Sequence, residues 1–369
     1  MDQPQSSVPA ASGSSPAAAV LPPLSIVMPV RNEARHLEES VRRALAQDYP
    51  APMELVLAVG PSRDRTQEIA ERLAAADARI AVVANPAGDI PAALNLAVKA
   101  SRHQVIARVD GHALLPDGYL RTAVRTLLDT GAAGVGGVMA AEGVTPFERA
   151  VAWAMTSKFG VGSASNHTGG EAGPAPTVYL GVYQRSALEK VGGYDEAYLR
   201  AEEWEMNFRI RQAGGLLWFQ PDLEVTYRPR GSVRALAAQY FHYGRWRRVV
   251  AREHAGTINL RYLAPPAATA AVATGTVAGL AGLIGGVAGS VPGLAWLTAG
   301  FVLPAGYLAG VLAVTATASR SLPASATVRL PAALATMHLF WGAGFLTSPR
   351  GLMPARRRSM PREPGDYRV

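Results

Sequence analysis

The sequence predicts an α/β protein in which a doubly wound, mostly parallel sheet is followed by membrane-associated helices. Short apolar segments rich in β-branched residues alternate with helical patterns between residues 24 and 110. That alternation is typical of parallel strands joined by crossover helices. Long uncharged segments follow residue 262, and they are long enough to cross a bilayer.

Each of the first four predicted strands is apolar and ends where polar residues begin. These strands cover residues 24–30, 54–59, 80–84 and 105–109. Apolar residues at Leu37, Val41 and Leu45 recur on one face of the first connecting helix until Pro50 stops it. The other two connecting helices cover residues 66–76 and 90–100.

The fourth strand stops abruptly at Asp110, Gly111 and His112. Open α/β sheets bind ligands at the carboxyl ends of their strands. Asp110 and His112 are both candidate metal ligands, and Gly111 would let the backbone approach a bulky anion. In the alternative interpretation, Asp110 only caps the turn and His112 lies on the surface.

Other motifs follow the strands and helices in a fixed order. They are Pro29 to Glu33, Gln47 to Pro50, Glu54 to Leu57, Ser62 to Thr66, Ala92 to Asn95, and Leu115 to Leu120. Together they resemble the nucleotide-sugar half of family 2 glycosyltransferases of the GT-A fold, over about residues 24–250. Asp110-Gly111-His112 stands at the Asp-X-Asp-type motif of that family, and its His variant resembles the succinoglycan-type exopolysaccharide branch.

The resemblance implies which residues bind the donor. A divalent cation held by Asp110, with His112 as a further candidate ligand, would neutralise the donor diphosphate. Mg²⁺ suits a site with few protein ligands plus phosphate oxygens, whereas a histidine ligand makes Mn²⁺ plausible. The positions that the family uses to bind the nucleotide sugar are here Pro29, Arg31, Glu33, Ser62, Asn95 and Asp110.

One position departs from the family pattern. The family usually has a base-contacting Asp at the end of the second strand, where this chain has Val59 and Gly60. Nucleotide recognition would then depend on backbone groups near Pro29 to Arg31 and on Ser62 or Asp64, or the donor is unusual.

Residues 156–176 are rich in Gly, Ser, Asn and Pro and predict a long loop, with Lys158 and His167 as isolated polar candidates. Such a loop inside a domain is either a lid or binding loop, or a disordered insertion. Both interpretations stay open. Residues 177–183 predict a further strand.

A second group of acids lies on a predicted helix. Helical spacing places Glu202, Glu205 and Arg209 on one face, with Glu203 pointing elsewhere. Aromatic residues such as Trp204 interleave with the acids, so the helix is at least half buried, and buried acids need a partner. The alternative is a solvated acidic helix start favoured by the macrodipole.

The same helix resembles the Glu-Asp-X-Glu-Leu-X-X-Arg segment of family 2. That resemblance puts Glu203 at the position of the catalytic base, with Glu202 beside it as a second catalytic candidate. Glu in place of Asp keeps the chemistry and moves the carboxylate by about one methylene.

Downstream, Arg245 and Trp246 match the family's Gln-X-X-Arg-Trp segment, with His242 in place of Gln. The resemblance implies contact with the acceptor or the donor diphosphate. An interfacial helix explains the same composition, because headgroup level selects aromatic residues beside arginines.

The last third of the chain predicts membrane helices. Residues 263–289 and 294–318 each could span a bilayer, and residues 330–346 are a third candidate that is spanning, re-entrant or interfacial. The uncharged turn at residues 290–293 would face outward, with Arg320 and Arg329 inside. The predicted domains are a disordered tail at 1–23, a catalytic domain at 24–250, an interfacial linker at 251–262, a transmembrane region at 263–348 and a basic tail at 349–369.

Composition limits the partners. The chain has 36 Lys and Arg against 28 Asp and Glu, a net charge of +8, and its basic clusters flank apolar segments. Membrane headgroups explain that pattern, and no nucleic-acid-binding motif accompanies it. Cysteine is absent, which excludes disulfides and thiolate metal sites.

The combined interpretation is an inverting glycosyltransferase at the inner (plasma) membrane, with a cytoplasmic catalytic domain. Its expected partners are a nucleotide-sugar donor, a lipid-linked or polysaccharide acceptor, and membrane lipids. A degenerate domain that binds nucleotide sugar or glycan without turnover is the main alternative. A purely structural membrane protein would not explain why the acids fall in the family's order.

Overall fold

A computed structural model describes residues 20–162, 164–287, 289 and 291–353. Most of both predicted tails therefore lies outside the described residues. The strands are β1 Leu24–Val30, β2 Met53–Val59, β3 Ile80–Ala84, β4 Val105–Arg108, β5 Gly134–Ala141, β6 Gly173–Pro174, β7 Val182–Gln184 and β8 Leu217–Tyr227. They form one eight-stranded sheet in the order β3-β2-β1-β4-β7-β5-β8-β6.

Helices surround this sheet and continue beyond it. Those of the α/β region are α1 Leu37–Leu45, α2 Thr66–Ala76, α3 Ile90–Ala100, α4 Tyr119–Thr130, α5 Pro146–Thr156, α6 Lys158–Val161, α7 Ser165–Thr168, α8 Arg185–Lys190 and α9 Glu202–Gln212. Those that follow are α10 Val233–Glu253, α11 Leu260–Ala281, α12 Val302–Ala318, α13 Ala324–Thr327 and α14 Leu330–Leu346. A π-helical segment, Gly282–Val287, and two 3₁₀ segments, Pro292–Phe301 and Arg350–Leu352, complete the described elements.

The sheet is mostly parallel, as predicted. β1 pairs in parallel with β2 and β4, and β2 pairs in parallel with β3. β7 is antiparallel to both of its neighbours, β4 and β5. Because β1, β2 and β4 run in the same direction, the segments after Val30, Val59 and Arg108 meet at one edge of the sheet.

Both faces of the central strands are covered, which explains why their sequences do not alternate. Ile26 and Met28 on β1 pack in one core with Leu37 of α1. Val27, which points to the other face, packs in a second core with Leu94 of α3. A slip of one residue would exchange the two faces, so this packing also fixes the register.

The predicted strand at 177–183 is shorter in the structure, because β7 begins only at Val182. Leu180 has a left-handed backbone, with φ of 46°. A left-handed residue breaks the extended path, so the chain turns before it joins the sheet.

The described residues between 156 and 176 form more than a plain loop, since they contain α6, α7 and the short strand β6. Further elements, among them α5, α8 and β8, have no counterpart among the predicted ones. A signal for α5 was present: Thr145 and Glu148 form a capping box, with Pro146 at the start of the helix.

α10 crosses the predicted boundary at residue 250 and packs along α14. A Cβ added to Gly244 would lie 1.9 Å from the Trp341 carbonyl oxygen, and one added to Gly344 would lie 2.0 Å from that of Phe241. The two helices therefore touch backbone to backbone, which only glycine permits here. α14, the third membrane candidate, is thus docked on the protein with half of its residues buried.

Two helices of the described chain are long and apolar enough to cross a membrane, Leu260–Gly286 and Gly293–Ala318. They agree with the two predicted spans to within a few residues. In the most apolar stretch of each helix, only 17% and 6% of the residues are buried. Their side chains therefore mostly face away from the protein. Both helices meet the requirement for membrane spans in length and composition.

Candidate functional site

The site lies at the edge where β1, β2 and β4 end. Asp110 follows β4, as predicted, with a side chain that is 23% exposed. Its backbone oxygen accepts a hydrogen bond from Ser40 Oγ (3.2 Å) on α1. The carboxylate is thus held at the surface of the cleft on a well-fixed turn.

Arg108 is the residue that connects the acids of the site. Its side chain is only 6% exposed, and its Nε donates to Asp110 Oδ1 at 3.1 Å. Its Nη2 donates to Glu202 Oε1 at 3.1 Å, and Nη1 lies 3.7 Å from Glu203 Oε2. One guanidinium therefore joins the strand-end acid to Glu202 and Glu203 at the start of α9.

Burial alone would lower the pKa of Arg108, but the charges of Asp110, Glu203 and Glu202 outweigh it and hold the pKa well above its usual value. Sequence reasoning missed this residue. A signal was present, because an arginine within an apolar strand needs buried acidic partners.

Glu203 is bound from the opposite side by the segment before β7. Its carboxylate accepts hydrogen bonds from the backbone N–H groups of Leu180 (3.3 Å) and Gly181 (3.1 Å) and from Tyr183 Oη (3.2 Å). Burial raises the pKa of Glu203; Arg108 and the Gly181 amide lower it, but the net shift is upward. Such a carboxyl is a stronger base than an exposed glutamate.

Non-glycine residues with a left-handed backbone occur at three places in the described chain, and all three belong to this site. They are Asn32 (φ 55°), Leu180 (46°) and Ala201 (63°). Asn32 follows β1, Leu180 donates to Glu203, and Ala201 directly precedes Glu202. Each such conformation costs on the order of 1–3 kcal/mol, so the surrounding contacts must hold it in place.

The acids of α9 divide differently from the prediction. Glu205 does pair with Arg209, at 2.8 Å, and it also contacts His254 of α10 at 3.2 Å. Glu202, which was expected to share their face, instead turns to Arg108 beside Glu203. Helical spacing did not predict the contact between Glu202 and Arg108, because Glu202 is the first residue of the helix. The left-handed backbone of Ala201 sets the direction of its side chain.

Burial would raise the pKa of Glu205, but hydrogen bonds from His254 and Arg209 outweigh it and the pKa lies below its usual value. Glu205 is thus an ionised structural acid that fixes α9 against α10. Glu202 and Glu203 are the acids that the fold brings to the cleft.

His112 pairs with Glu33, with 2.9 Å between Nδ1 and Oε1. The hydrogen bond that His112 donates to the Glu33 carboxylate raises the pKa of His112 more than burial lowers it. A carboxylate at Nδ1 selects the tautomer whose Nε2 lone pair can bind a cation, an arrangement common among metal-binding histidines. It equally suits a histidine that is only the neighbour of a ligand.

Within the described residues, no three His, Asp or Glu side chains come together to hold a metal ion by themselves. Asp110, with His112 Nε2 nearby in the chain, offers one or two ligand atoms. That donor set fits an ion that takes its other ligands from diphosphate and water, as Mg²⁺ commonly does.

The space around residue 111 accommodates only glycine. A Cβ there would lie 2.9 Å from Val30 Cγ1 and 3.2 Å from Glu33 Cγ. The turn therefore packs directly on the loop after β1, whatever ligand approaches it.

Hydrogen bonds connect the loops after β1 and β2. The Asn32 amide donates to Ser62 Oγ (3.1 Å), and the Glu33 amide donates to Thr66 Oγ1 (2.7 Å). Asp64 accepts from the Ala34 amide at 3.1 Å. Ser62 and Asp64, both candidates for nucleotide contact, thus also hold the loop that carries the first motif.

Arg31 lies among the loops after β1, β2 and β3, just beyond Pro29. Its guanidinium donates to the carbonyl oxygens of Pro61 (3.3 Å) and Gly88 (3.1 Å). A Cβ on Gly60 would meet Gly88 Cα at 3.2 Å and Arg31 Cβ at 3.6 Å. The space beside Gly60 is therefore occupied.

Val59 and Asn95 are both engaged by the protein itself. Val59, at the family's Asp position, is buried in the core with 4% exposure. Asn95 donates to the Tyr194 carbonyl (2.9 Å) and to Glu196 (3.0 Å), and it accepts from the Tyr194 amide (2.9 Å). Asn95 therefore fastens the segment that leads to α9, and its contact with a nucleotide stays a prediction.

Arg245 and Trp246 belong to α10. The guanidinium of Arg245 stacks over Phe241 at 4.5 Å, and Trp246 is buried against Tyr198 with ring centroids 6.1 Å apart. None of these contacts involves Asp110 or Glu203. The predicted role of both residues at a diphosphate remains a prediction.

Comparison with known proteins places this geometry in a family context. The glycosyl transferase family 2 model matches residues 25–192. The succinoglycan biosynthesis protein ExoA of Rhizobium meliloti (strain 1021) is 32% identical over 341 residues, which cover 90% of this chain and 96% of that protein.

A sugar transferase of Methanococcus voltae that acts on a dolichyl-linked sugar, by its name, is 23% identical over 66% of this chain and 77% of its own length. Among solved structures, the mannosyltransferase PcManGT from Pyrobaculum calidifontis, in complex with GDP-Man and Mn²⁺, aligns with a TM-score of 0.54. It covers 90% of this chain and 89% of its own at 19% identity, a likeness that concerns the fold.

Proposed function

Because the chain belongs to glycosyl transferase family 2, we propose that it is a membrane-bound inverting enzyme. It would transfer a hexosyl group from a nucleoside diphosphate to a hydroxyl of a lipid-linked or polysaccharide acceptor. The chain is a glycosyltransferase with an α/β fold of the GT-A type. The observation that supports the mechanism is the linkage of Asp110, Glu202 and Glu203 through the buried Arg108.

The donor would lie across the ends of β1, β2 and β4. Arg31 and the loop amides after β1 border the nucleotide, and Ser62 lies on the opposite loop. Asp110 would hold a divalent ion, Mg²⁺ or Mn²⁺, with His112 Nε2 as a second ligand. When bound, that ion neutralises the charge that develops on the departing nucleoside diphosphate.

Glu203 would act as the base. Its carboxylate takes the proton of the acceptor hydroxyl while that oxygen forms a bond to the anomeric carbon and the bond to the diphosphate breaks. Attack from the face opposite the leaving group inverts the configuration in one step. Glu202, bound to Arg108, would keep that guanidinium in place, so Arg108 and Glu202 act through Glu203 and Asp110.

The helices after α10 support the proposed acceptor and location. Two helices that could span a bilayer support a catalytic domain at a membrane surface, and the net positive charge favours the anionic cytoplasmic leaflet. ExoA is named for succinoglycan biosynthesis, so exopolysaccharide assembly on a lipid-linked acceptor is the proposed setting. Few spans leave little room for a translocation channel, which favours single addition.

A degenerate domain that binds the donor without turnover is the second candidate. The observation that favours it is Val59, which is buried in the core where the family has its base-contacting acid. Backbone groups around Pro29 and the donors of Arg31 can still contact a base, so the loss of one acid does not remove the nucleotide site.

Turnover with a panel of UDP-, GDP- and dTDP-sugars separates the two candidates. We expect the wild-type chain in membranes to release nucleoside diphosphate from one donor in a metal-dependent manner. Glu203→Gln should lower transfer about 10²–10⁴-fold, and Asp110→Asn should weaken metal dependence. Glu39→Gln, on the exposed face of α1, is the control and should transfer at the wild-type rate. Donor binding without turnover in any membrane preparation would favour the second candidate.

A further inference from the structure

A cavity of about 660 Å³ separates the α/β domain from the helices that follow it. The start of α9 and the segment from α6 to α7 form one side, and α10, α11 and α14 form the other. Neither Asp110 nor Glu203 lines it, so it is distinct from the proposed donor site. It is nevertheless adjacent, because the lining residues Ala201 and Trp204 flank the two acids of α9 in sequence.

A chain of hydrogen bonds also connects the cavity to the base. Thr177, which lines the cavity, accepts from Asn207 Nδ2 at 2.9 Å. Tyr183 Oη lies 3.0 Å from Asn207 Oδ1 and 3.2 Å from Glu203 Oε1, so its single hydroxyl proton is shared between these two acceptors. A ligand that contacts Thr177 in the cavity would therefore be connected to the proposed base through Asn207 and Tyr183.

The charge of the cavity is entirely positive. The basic lining residues are Lys158, Arg200, Arg247 and Arg261, and the lining contains no Asp or Glu. Arg247 is buried and Arg261 is half-buried, whereas Lys158 and Arg200 are exposed. No ion pair joins any of the four to another described residue, whereas the buried Arg108, Glu202 and Glu205 are all paired. An uncompensated cluster of cations is suited to an anion supplied by a ligand.

Arg247 is the strongest indication of a built anion site. It is only 7% exposed, its Nε is buried without a hydrogen-bond partner, and its Nη2 donates to the Thr257 carbonyl. Its guanidinium lies between the rings of Trp204 (4.3 Å) and Tyr262 (3.8 Å). Burying an unpaired charge carries a desolvation penalty. An anion beside Arg247 would offset that penalty and would therefore bind tightly.

His167 adds a second unpartnered group. Its Nδ1 is buried without a partner, and burial together with the charge of Arg261 lowers the pKa of His167 to about 4. It is therefore neutral at pH 7 and offers a hydrogen bond without adding charge.

The opposite wall is apolar and leads to the membrane. Met337 and Trp341 of α14 and Ala264, Pro265 and Ala268 of α11 line it. α11 is part of the first candidate span, and its early residue Leu263 is 42% exposed. A ligand that complements both the basic residues and the apolar wall has an anionic head and an apolar tail that extends along α11.

We propose that this cavity binds the phosphate-bearing headgroup of a membrane lipid that carries the acceptor sugar, with the lipid tail along α11. The inference rests on the proposed function, because it supplies the acceptor for that reaction. It names the acceptor as an anionic lipid rather than a free polysaccharide. Arg247 and Arg261 would hold the phosphate, and the sugar beyond it would extend past Trp204 toward Glu203.

Tryptophan fluorescence tests the proposal directly, because Trp204, Trp246 and Trp341 all line the cavity. The full-length protein in phosphatidylcholine nanodiscs is titrated with geranylgeranyl diphosphate, with the matched alcohol geranylgeraniol, and with inorganic pyrophosphate. We expect the lipid diphosphate to change the emission at much lower concentration than either the alcohol or pyrophosphate. Equal binding of the alcohol would mean a purely apolar lipid site, and equal binding of pyrophosphate would mean a simple anion site; either result overturns the proposal.

Variants assign the signal to the cavity. Arg261→Gln and Lys158→Gln should each weaken binding of the lipid diphosphate about tenfold, since each removes a charge-assisted contact. Arg247→Met should weaken it further; if that variant does not fold, the other two still decide the outcome. Arg248→Gln is the matched control, because Arg248 is next on α10 but stacks on Phe345 outside the cavity. Wild-type affinity in Arg261→Gln and Lys158→Gln would contradict the proposal.

Donor hydrolysis by the wild-type protein separates this proposal from the proposed function. Donor turnover with lipid binding unaffected by the cavity variants would leave the function intact and refute the lipid site. No donor turnover and no metal-dependent donor binding would refute the function itself. Binding of phosphatidic acid as tight as that of the lipid diphosphate would show a general phospholipid site, against the proposed acceptor.

Discussion

Arg108 decides how the acids of the site are arranged. Within the described part of the chain, its guanidinium contacts Asp110, Glu202 and Glu203 together, and it is nearly inaccessible to solvent. Without it, three carboxylates would be left close together in a partly dry environment, where each would resist ionisation. The residue therefore serves both folding and the position of Glu203.

Replacing Arg108 by Met should destabilise the protein by about 3–5 kcal/mol, because removal of one partner leaves buried charges uncompensated. Denaturant unfolding of the purified protein in detergent measures the change. Arg65→Met is the control: Arg65 pairs with Glu68 on the exposed surface, and such pairs contribute little. Equal stability of Arg108→Met and wild type would show that the acids do not depend on the guanidinium.

The pH dependence of transfer should reveal Glu203. A base works only when deprotonated, so the rate rises as pH passes the pKa of the base. Burial raises the pKa of Glu203 more than Arg108 lowers it, so the acid limb of kcat should lie above the pKa of about 4.3 usual for glutamate. Rate measurements from acid to neutral pH with saturating donor test this. An acid limb at or below the ordinary value would argue against Glu203 as the base.

At the scale of elements, the position of α9 depends on how it begins and on what it packs against. The left-handed Ala201 precedes the helix at the point where Glu202 and Glu203 both turn to Arg108. Glu205, with Arg209 and His254, ties the next turn to α10. α10 in turn touches α14 through Gly244 and Gly344, so α9 is connected to the C-terminal helices by direct packing.

Gly244→Ala tests that connection. The added methyl would collide with the Trp341 carbonyl, so we expect a loss of about 1–3 kcal/mol from overpacking, despite the better helix propensity of alanine. Thermal unfolding in detergent gives the shift in midpoint, and the transfer rate should fall with it. Gly306→Ala on α12, where a Cβ meets nothing within 4 Å, is the control and should be neutral or slightly stabilising. An unchanged midpoint in Gly244→Ala would mean that α10 and α14 are not in backbone contact.

At the scale of the whole molecule, an α/β domain and a helical region share the cavity between them. The sheet edge that holds Asp110 and the helices that would enter the bilayer are therefore close, as a membrane-derived acceptor requires. The candidate spans Leu260–Gly286 and Gly293–Ala318 form a helical pair whose connection would face outward.

The absence of cysteine makes this topology testable with single substitutions. In intact cells, Val291→Cys, which lies in the connection between the spans and is 51% exposed, should react with a membrane-impermeant maleimide. Ser319→Cys, after the second span, is the matched exposed position and should react only after the membrane is opened. Labelling of Ser319→Cys in intact cells, or of neither position after opening, would refute the proposed orientation.

Local sequence patterns predicted much of the fold. The first four strands and the three helices between them agree with the structure to within a few residues, because apolar runs and helical spacing report burial directly. The position of Asp110 at a strand end and the two membrane-length helices were also predictable. The family motifs indicated Glu203. Helical spacing alone predicted that Glu202 shares the face of Glu205, which is not what the structure has.

Only the tertiary structure decided how these parts meet. Arg108 and Leu180 carried no motif, yet one binds all three acids and the other donates a backbone N–H to Glu203. The cavity combines α6, α7 and α9 with α10, α11 and α14, which are distant in sequence. A sequence pattern indicates which residues are buried along one element, whereas a site depends on which elements pack together. In this protein that packing is fixed by the buried guanidinium of Arg108 and by the helix contacts at Gly244 and Gly344.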